Sequence, residues 1–342
     1  MQDLWLYLPG ILDKSPDWEI HCSVLEFFFV HAQQKKEMLY LTPSDVFFLL
    51  AEVTVEEYPW YLLSDFLVRA ATSVSLLHYP VCVGHVSYLD TSRITHLFNV
   101  SLPNDFNEDI SRWDVSQVRH MNGLFENKFT FNQPLKDWNV SNVTCMNRMF
   151  LGAQSFNQPI GKWNVSNVTD MGSMFYECSE FNQPIGKWNV SKVTDMEMMF
   201  GFARKFNQSL EEWDVSQVTT MCAMFENTVW FNQPLGNWNV SRVTDMRSMF
   251  ILAVSFNQPL EEWDVSNVIN MSAMFKFASK FNQPLGKWNV SNVIYMQRMF
   301  ERAESFNQPL GEWTVSDETH VGDMFNFTYS FQQLWYPWMI HK

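Results

Sequence analysis

The stretch Phe156-Asn157-Gln158-Pro159-Ile160-Gly161-Lys162-Trp163-Asn164-Val165-Ser166-Asn167-Val168-Thr169-Asp170-Met171-Gly172-Ser173-Met174-Phe175 decides how this chain folds, because it keeps returning. Phe recurs at 106, 131, 156, 181, 206, 231, 256, 281, 306 and 331, an unbroken step of 25 residues. Trp follows each of them seven places later, from Trp113 to Trp338. The full unit reads F-N-Q-P-L-x-x-W-N-V-S-x-V-T-x-M-x-x-M-F-x-x-A-x-x, with no insertion between Phe106 and Phe331. A fixed period of this length marks stacked supersecondary units.

Spacing within a unit predicts its local structure. After Leu135, Trp138 and Val140 alternate, so both can point inward from a short strand. Ser141 and Asn142 suit a turn. Val143, Met146, Met149, Phe150 and Ala153 are three and four apart, a helical or 3₁₀ spacing, with Thr144 where a cap would stand. Asn157, Gln158 and Pro159 make a corner into the next unit. The expected fold is an α/β repeat solenoid: a right-handed, leucine-rich-repeat-like array of 25-residue strand–turn–short-helix coils. One unit buries only about eight apolar side chains, too few to offset the entropy of ordering its backbone. Stacked units share walls and extend one core, so the array folds where a unit cannot. Asn132, Asn157, Asn182 and their equivalents should stack as a ladder that satisfies corner backbone.

The ends differ from the middle. Leu89 to Leu97 aligns with Trp113 to Met121 one position out of register and reads as a degenerate capping coil over 86–105. Nine regular coils follow over 106–330, and 331–342 begins a partial C-terminal cap. Residues 1–85 carry no repeat. Helix starts at Pro16 and at Thr42–Asp45, and a third helical stretch from about Glu57 to Leu77, predict a small α-helical module, with faint features of an F-box adaptor.

Composition narrows the function. Hydrophobic residues make up 46% of the 342-residue chain and aromatics 16%, too apolar for disorder. A net charge of -14 disfavours nucleic acid and anionic membrane as partners. Cys22, Cys82, Cys145, Cys178 and Cys222 form no C-x-x-C pair, which speaks against a zinc ribbon or a disulfide framework. His21 with Cys22, and His78 with Cys82 and His85, fit no zinc spacing. No nucleophile elbow, Walker loop, dinucleotide fingerprint or H-E-x-x-H is present. Glu211–Glu212 and Glu261–Glu262 recur with the repeat and read as a solvated face, not an acid–base pair. The N-V-S and N-V-T strings are formal glycosylation sequons, explained by turn chemistry. No catalytic, cofactor or metal site is expected. With no signal peptide or membrane span in view, a cytoplasmic protein is expected.

Binding would be written in the outward columns. The one before each Trp reads Arg112, Asp137, Lys162, Lys187, Glu212, Asn237, Glu262, Lys287 and Glu312. The one after it reads Asp114, Asn139, Asn164, Asn189, Asp214, Asn239, Asp264, Asn289 and Thr314. Solenoids bind through such strand-lined faces. The competing role is charge pairing between coils, Lys187 beside Glu212 and Lys287 beside Glu312. A Thr ladder (Thr144, Thr169, Thr194, Thr219, Thr244) is interrupted by Ile269 and Ile294.

The string Trp163-Asn164-Val165-Ser166-Asn167-Val168-Thr169-Asp170-Met171-Gly172-Ser173-Met174-Phe175 resembles the BspA-like leucine-rich repeat of bacterial surface proteins and mycoplasma lipoproteins, whose units carry W-D-V-S-N-V-T-D-M-S-x-M-F. The resemblance runs from about Leu89 to Trp338. It implies a leucine-rich-repeat-like solenoid with protein-binding or adhesive roles, and similar arrays occur in large DNA viruses. The expected function is a non-enzymatic protein–protein interaction scaffold. The rivals are a structural or adhesive component of a surface or particle, and an adaptor with an F-box-like N-terminal module.

Overall fold

The computed structural model describes residues 91–332, apart from 93, 98–101 and 103. The helical module expected over 1–85 and most of the C-terminal cap lie outside the described residues.

The chain winds into stacked coils of 25 residues. One parallel bridge joins each coil to the next, in a single column from His96 and His120 through Cys145, Asp170, Asp195, Thr220, Asp245, Asn270 and Tyr295 to His320. The first step, His96 to His120, spans 24 residues instead of 25. Every bridge is isolated, and the described residues contain neither a longer strand nor a helix.

The short helix of the sequence reading is therefore replaced. Between Met171 and Cys178 two sets of hydrogen bonds alternate. Met171, Ser173, Phe175 and Glu177 donate to the next coil, at Asp195, Glu197, Met199 and Gly201, over 2.7–3.1 Å. Met174, Tyr176 and Cys178 donate three residues back, to Met171, Ser173 and Phe175. Ser173 and Glu177, each third in its turn, have φ of 54° and 60°. The segment is a ribbon of β-turns with left-handed third residues, as in type II. A helix would have spent all these N–H groups within the coil. The ribbon sends half of them to its neighbour, which is what a stack needs. Three-residue turns bring positions three and four apart to one side just as a helix does, so Met171, Met174, Phe175 and Cys178 are all buried.

The strand expected at Trp163–Val165 is also displaced. That segment keeps its in–out–in alternation, yet the bridge falls at Asp170. At the Trp edge side chains replace the backbone ladder. Each indole Nε1 donates to a carbonyl 28 residues back, as Trp188 does to Ile160 and Trp263 to Leu235, at 3.2 and 2.9 Å. The indoles of Trp138, Trp163 and Trp188 stack at 6.4–6.5 Å.

The interior is one apolar column running from Ile94 to Met324. The Trp side chains that frame it are 2–4% exposed. Two Phe columns interlock along its axis: Phe150 lies 3.9 Å from Phe156 within a coil and 5.7 Å from Phe175 in the next. At the corner the expected Asn ladder is present. Asn132 Oδ1 accepts the Asn157 N–H at 3.0 Å and Gln158 Nε2 at 3.0 Å. The same bonds recur at Asn157, Asn182, Asn207, Asn232, Asn257 and Asn282.

Candidate functional site

Because the core columns repeat unchanged, any selectivity must come from side chains that face out. Both columns flanking the Trp residues are exposed along the array. Their chemistry diverges.

The column after Trp is spent locally. Asp114, Asn139, Asn164, Asn189, Asp214, Asn239, Asp264 and Asn289 each accept, through Oδ1, the N–H of the Ser two residues on, at 2.9–3.2 Å. These Asx turns bend the chain out of the Trp edge. The N-V-S strings are thus turn geometry.

The column before Trp is partly paired across coils. Lys187 Nζ reaches Glu212 at 2.5 and 2.7 Å. Lys287 does not turn to Glu312; it reaches back to Glu262 at 2.8 Å and Glu261 at 3.5 Å. Those carboxylates hold the Lys287 ammonium above its usual range, with the hydrogen bond to Glu262 the largest cause. Asn237 donates to Glu211 at 3.1 Å. Asp137 lies 3.9 Å from Lys136 of its own coil. Arg112 and Lys162 extend the column toward the N-terminal end. Both carboxylate pairs, Glu211–Glu212 and Glu261–Glu262, are therefore bound to neighbouring coils.

The Thr column beside the bridges is committed too. Thr144, expected as a helix cap, donates Oγ1 to the Arg119 carbonyl of the preceding coil at 3.1 Å. Thr169, Thr194, Thr219 and Thr244 do the same one coil on, at 3.1–3.3 Å.

Several other groups are perturbed chiefly by burial. Burial raises the carboxyls of Asp195, Glu197 and Glu226. The Cys178 thiol is pushed well up by burial and donates to the Phe150 carbonyl at 2.8 Å, which makes it an inert packing residue. Cys222 is raised by burial and accepts from Arg247 at 3.3 and 3.4 Å. Among the described residues no three His, Cys, Asp or Glu side chains are grouped to hold a metal ion. No helix among them is long and apolar enough to cross a membrane.

A surface that the sequence reading missed lies on the turn ribbon. One left-handed position there is Gly152 in one coil, Asn127 or Asn227 in others and Glu177 or Arg302 in two more, but Phe202, Leu252, Phe277 and Phe327 elsewhere. The signal in the sequence was large apolar residues at a position the interior does not require.

Three overlapping matches, over 81–180, 156–253 and 231–338, identify the repeat with the family described as "Mycoplasma protein of unknown function, DUF285". The chain belongs to this family. The DUF285 assignment agrees with the mycoplasma-type repeat seen in the sequence. No curated protein matches the chain. Among solved structures, a leucine-rich-repeat protein of Leptospira interrogans is 6% identical, over 66% of this chain and 68% of that one, with a TM-score of 0.23. A superposition that loose does not establish a common fold.

Proposed function

We propose that this DUF285 array is a non-enzymatic scaffold for protein–protein interaction, a right-handed leucine-rich-repeat-like solenoid whose Trp edge recognises a partner. One observation carries the reading. Every coil repeats the same buried residues, while the exposed position before Trp changes sign from Lys162 and Lys187 to Glu212, Asn237, Glu262, Lys287 and Glu312. A core is indifferent to that pattern, whereas a partner laid along the coils would read it as a charge sequence. Asx turns leave the column after Trp to set the edge's shape, so charge recognition falls to the column before it.

The test inverts the pattern without loosening the stack. Lys187→Glu with Glu212→Lys, and Glu262→Lys with Lys287→Glu, keep the inter-coil pairs while reversing the charges; Lys162→Glu extends the reversal. Full-length wild-type and variant chains are used as baits in quantitative affinity capture from the native cell. The expected result is loss of a defined partner set at an unchanged melting temperature. An unchanged set removes the Trp edge from consideration.

A further inference from the structure

The C-terminal half of the turn ribbon carries a second surface, and its residues are ones the fold does not ask for. A left-handed φ suits Gly and is tolerated by Asn; bulky side chains there are strained. Phe277 and Phe327 nonetheless occupy it, at φ of 61° and 58°. Phe327 is 44% exposed and the nearby Tyr329 78%. The equivalent positions in other coils are Asn127, Gly152, Glu177, Phe202, Asn227, Leu252 and Arg302, so the coil closes with or without an aromatic.

Charge accompanies the apolar residues. Arg302, in the coil between them, places its guanidinium 5.5 Å from the Phe277 ring and 4.6 Å from the Phe327 ring. Stacking of this kind restrains the cation while leaving its N–H groups available. Arg302 has no carboxylate within ion-pair distance among the described residues, in a chain of net charge -14. An apolar surface bearing such a cation is complementary to carboxylates set among apolar side chains.

We infer that the Phe277–Arg302–Phe327 column, with Tyr329, docks a segment of another protein in which Asp or Glu alternates with large apolar residues. The apolar side chains pack on the rings, and a carboxylate takes the guanidinium. This surface is separate from the Trp edge and stands or falls apart from it.

The test uses the full chain and a labelled peptide of alternating Glu with Phe or Leu, followed by fluorescence anisotropy. Two control peptides replace every Glu by Lys or every apolar residue by Ser. Only the acidic–apolar peptide is expected to bind, more weakly as salt rises. Arg302→Glu, and Phe277→Asn with Phe327→Asn, should each raise its Kd about tenfold or more. Asn already stands at this position in other coils, so the paired variant keeps the fold. The reversed Trp-edge variant should bind the peptide as wild type does. Equal binding of the Lys peptide, or indifference to the ribbon variants, overturns the inference. So does a self-association that Phe327→Asn abolishes, which would assign the surface to a second copy.

Discussion

Replacing Asn182 by Leu isolates the ladder that ties the corners together. Asn182 Oδ1 accepts the Asn207 N–H at 3.0 Å and Gln208 Nε2 at 3.0 Å, both partly buried. Its own N–H donates to Asn157 Oδ1 at 3.0 Å through the backbone, so the substitution spares that bond. Leu matches Asn in its number of side-chain heavy atoms and removes the one oxygen that accepts both bonds. Each lost bond is worth about 1 kcal/mol net, and an N–H left unpaired in a half-buried corner moves the total to about 2–3 kcal/mol. Asn182→Asp keeps that acceptor oxygen and should stay within about 1 kcal/mol of wild type. Guanidinium unfolding followed by Trp fluorescence measures the loss, and hydrogen exchange at the Asn207 amide locates it. A second signature is a shallower transition, because weakening one interface of a linear array lets its two sides unfold separately. A Leu variant that loses less than about 0.5 kcal/mol, or an Asp variant that loses as much as Leu, refutes the ladder's stabilising role.

Strain in the turn ribbon gives a prediction of opposite sign: Ser248→Gly, at φ of 57°, should stabilise by about 1 kcal/mol in denaturant titration. Gly152→Ala should destabilise by at least that much, since φ is 71° and the new Cβ would lie 2.7 Å from Asn127 Oδ1. Glu226 has its carboxyl raised by burial, so its contribution to stability is full below the unfolded carboxylate range and is lost as pH rises through the folded value. Glu226→Gln should therefore melt higher than wild type near about pH 7, with the gap closing below about pH 4, a trend that thermal melts across pH will show or deny. Lys276 and Glu301 lie 2.7 Å apart with side chains only 17% and 12% exposed. Arg298 Nε, 3.7 Å from the same carboxylate, remains, so Lys276→Met alone should cost about 2 kcal/mol, and adding Glu301→Gln should recover most of it. The same double neutralisation at Lys187 and Glu212, 78% and 65% exposed, should change unfolding by less than about 1 kcal/mol.

Much of this architecture was legible because a period of 25 aligns like with like. Once Phe156 stacks on Phe181 and Trp163 on Trp188, the inward columns and the Asn ladder follow from alignment alone. The path of the backbone was not legible. Met171, Met174, Phe175 and Cys178 fit a helix and a turn ribbon equally, and only the destination of the alternate N–H groups separates the two. That destination lies in another coil, which local spacing does not encode. The Trp edge misled for a related reason: in–out–in alternation predicts extended chain, which is present, but not which coil edge carries the bridge. The partner of Lys287 was undecidable from sequence, because a long side chain between two acidic coils can turn either way, and it turns to Glu262 and Glu261.

The hydrogen bonds also show why so little of this surface is available for recognition. In a stack without sheets or helices, outward polar side chains take over work that backbone ladders do elsewhere. Asn157 and Gln158 tie the corner, Asn164 closes a turn, Asn167 donates to the Ser141 carbonyl at 2.8 Å, and Thr169 donates to Thr144. A position bound in this way varies little from coil to coil, since each replacement would orphan a neighbour's donor or acceptor. The positions that vary most are the column before Trp, where only some side chains pair across coils, and the left-handed positions of the ribbon. Variation and exposure coincide there for a mechanical reason, and chemistry distinguishes the two. Exposed charges before Trp cost the fold little, and where they pair across coils they also serve the stack. Phe327, held at left-handed φ and open to water, is unfavourable on both counts. On that asymmetry the ribbon around Arg302 is the stronger candidate for a surface kept for a partner.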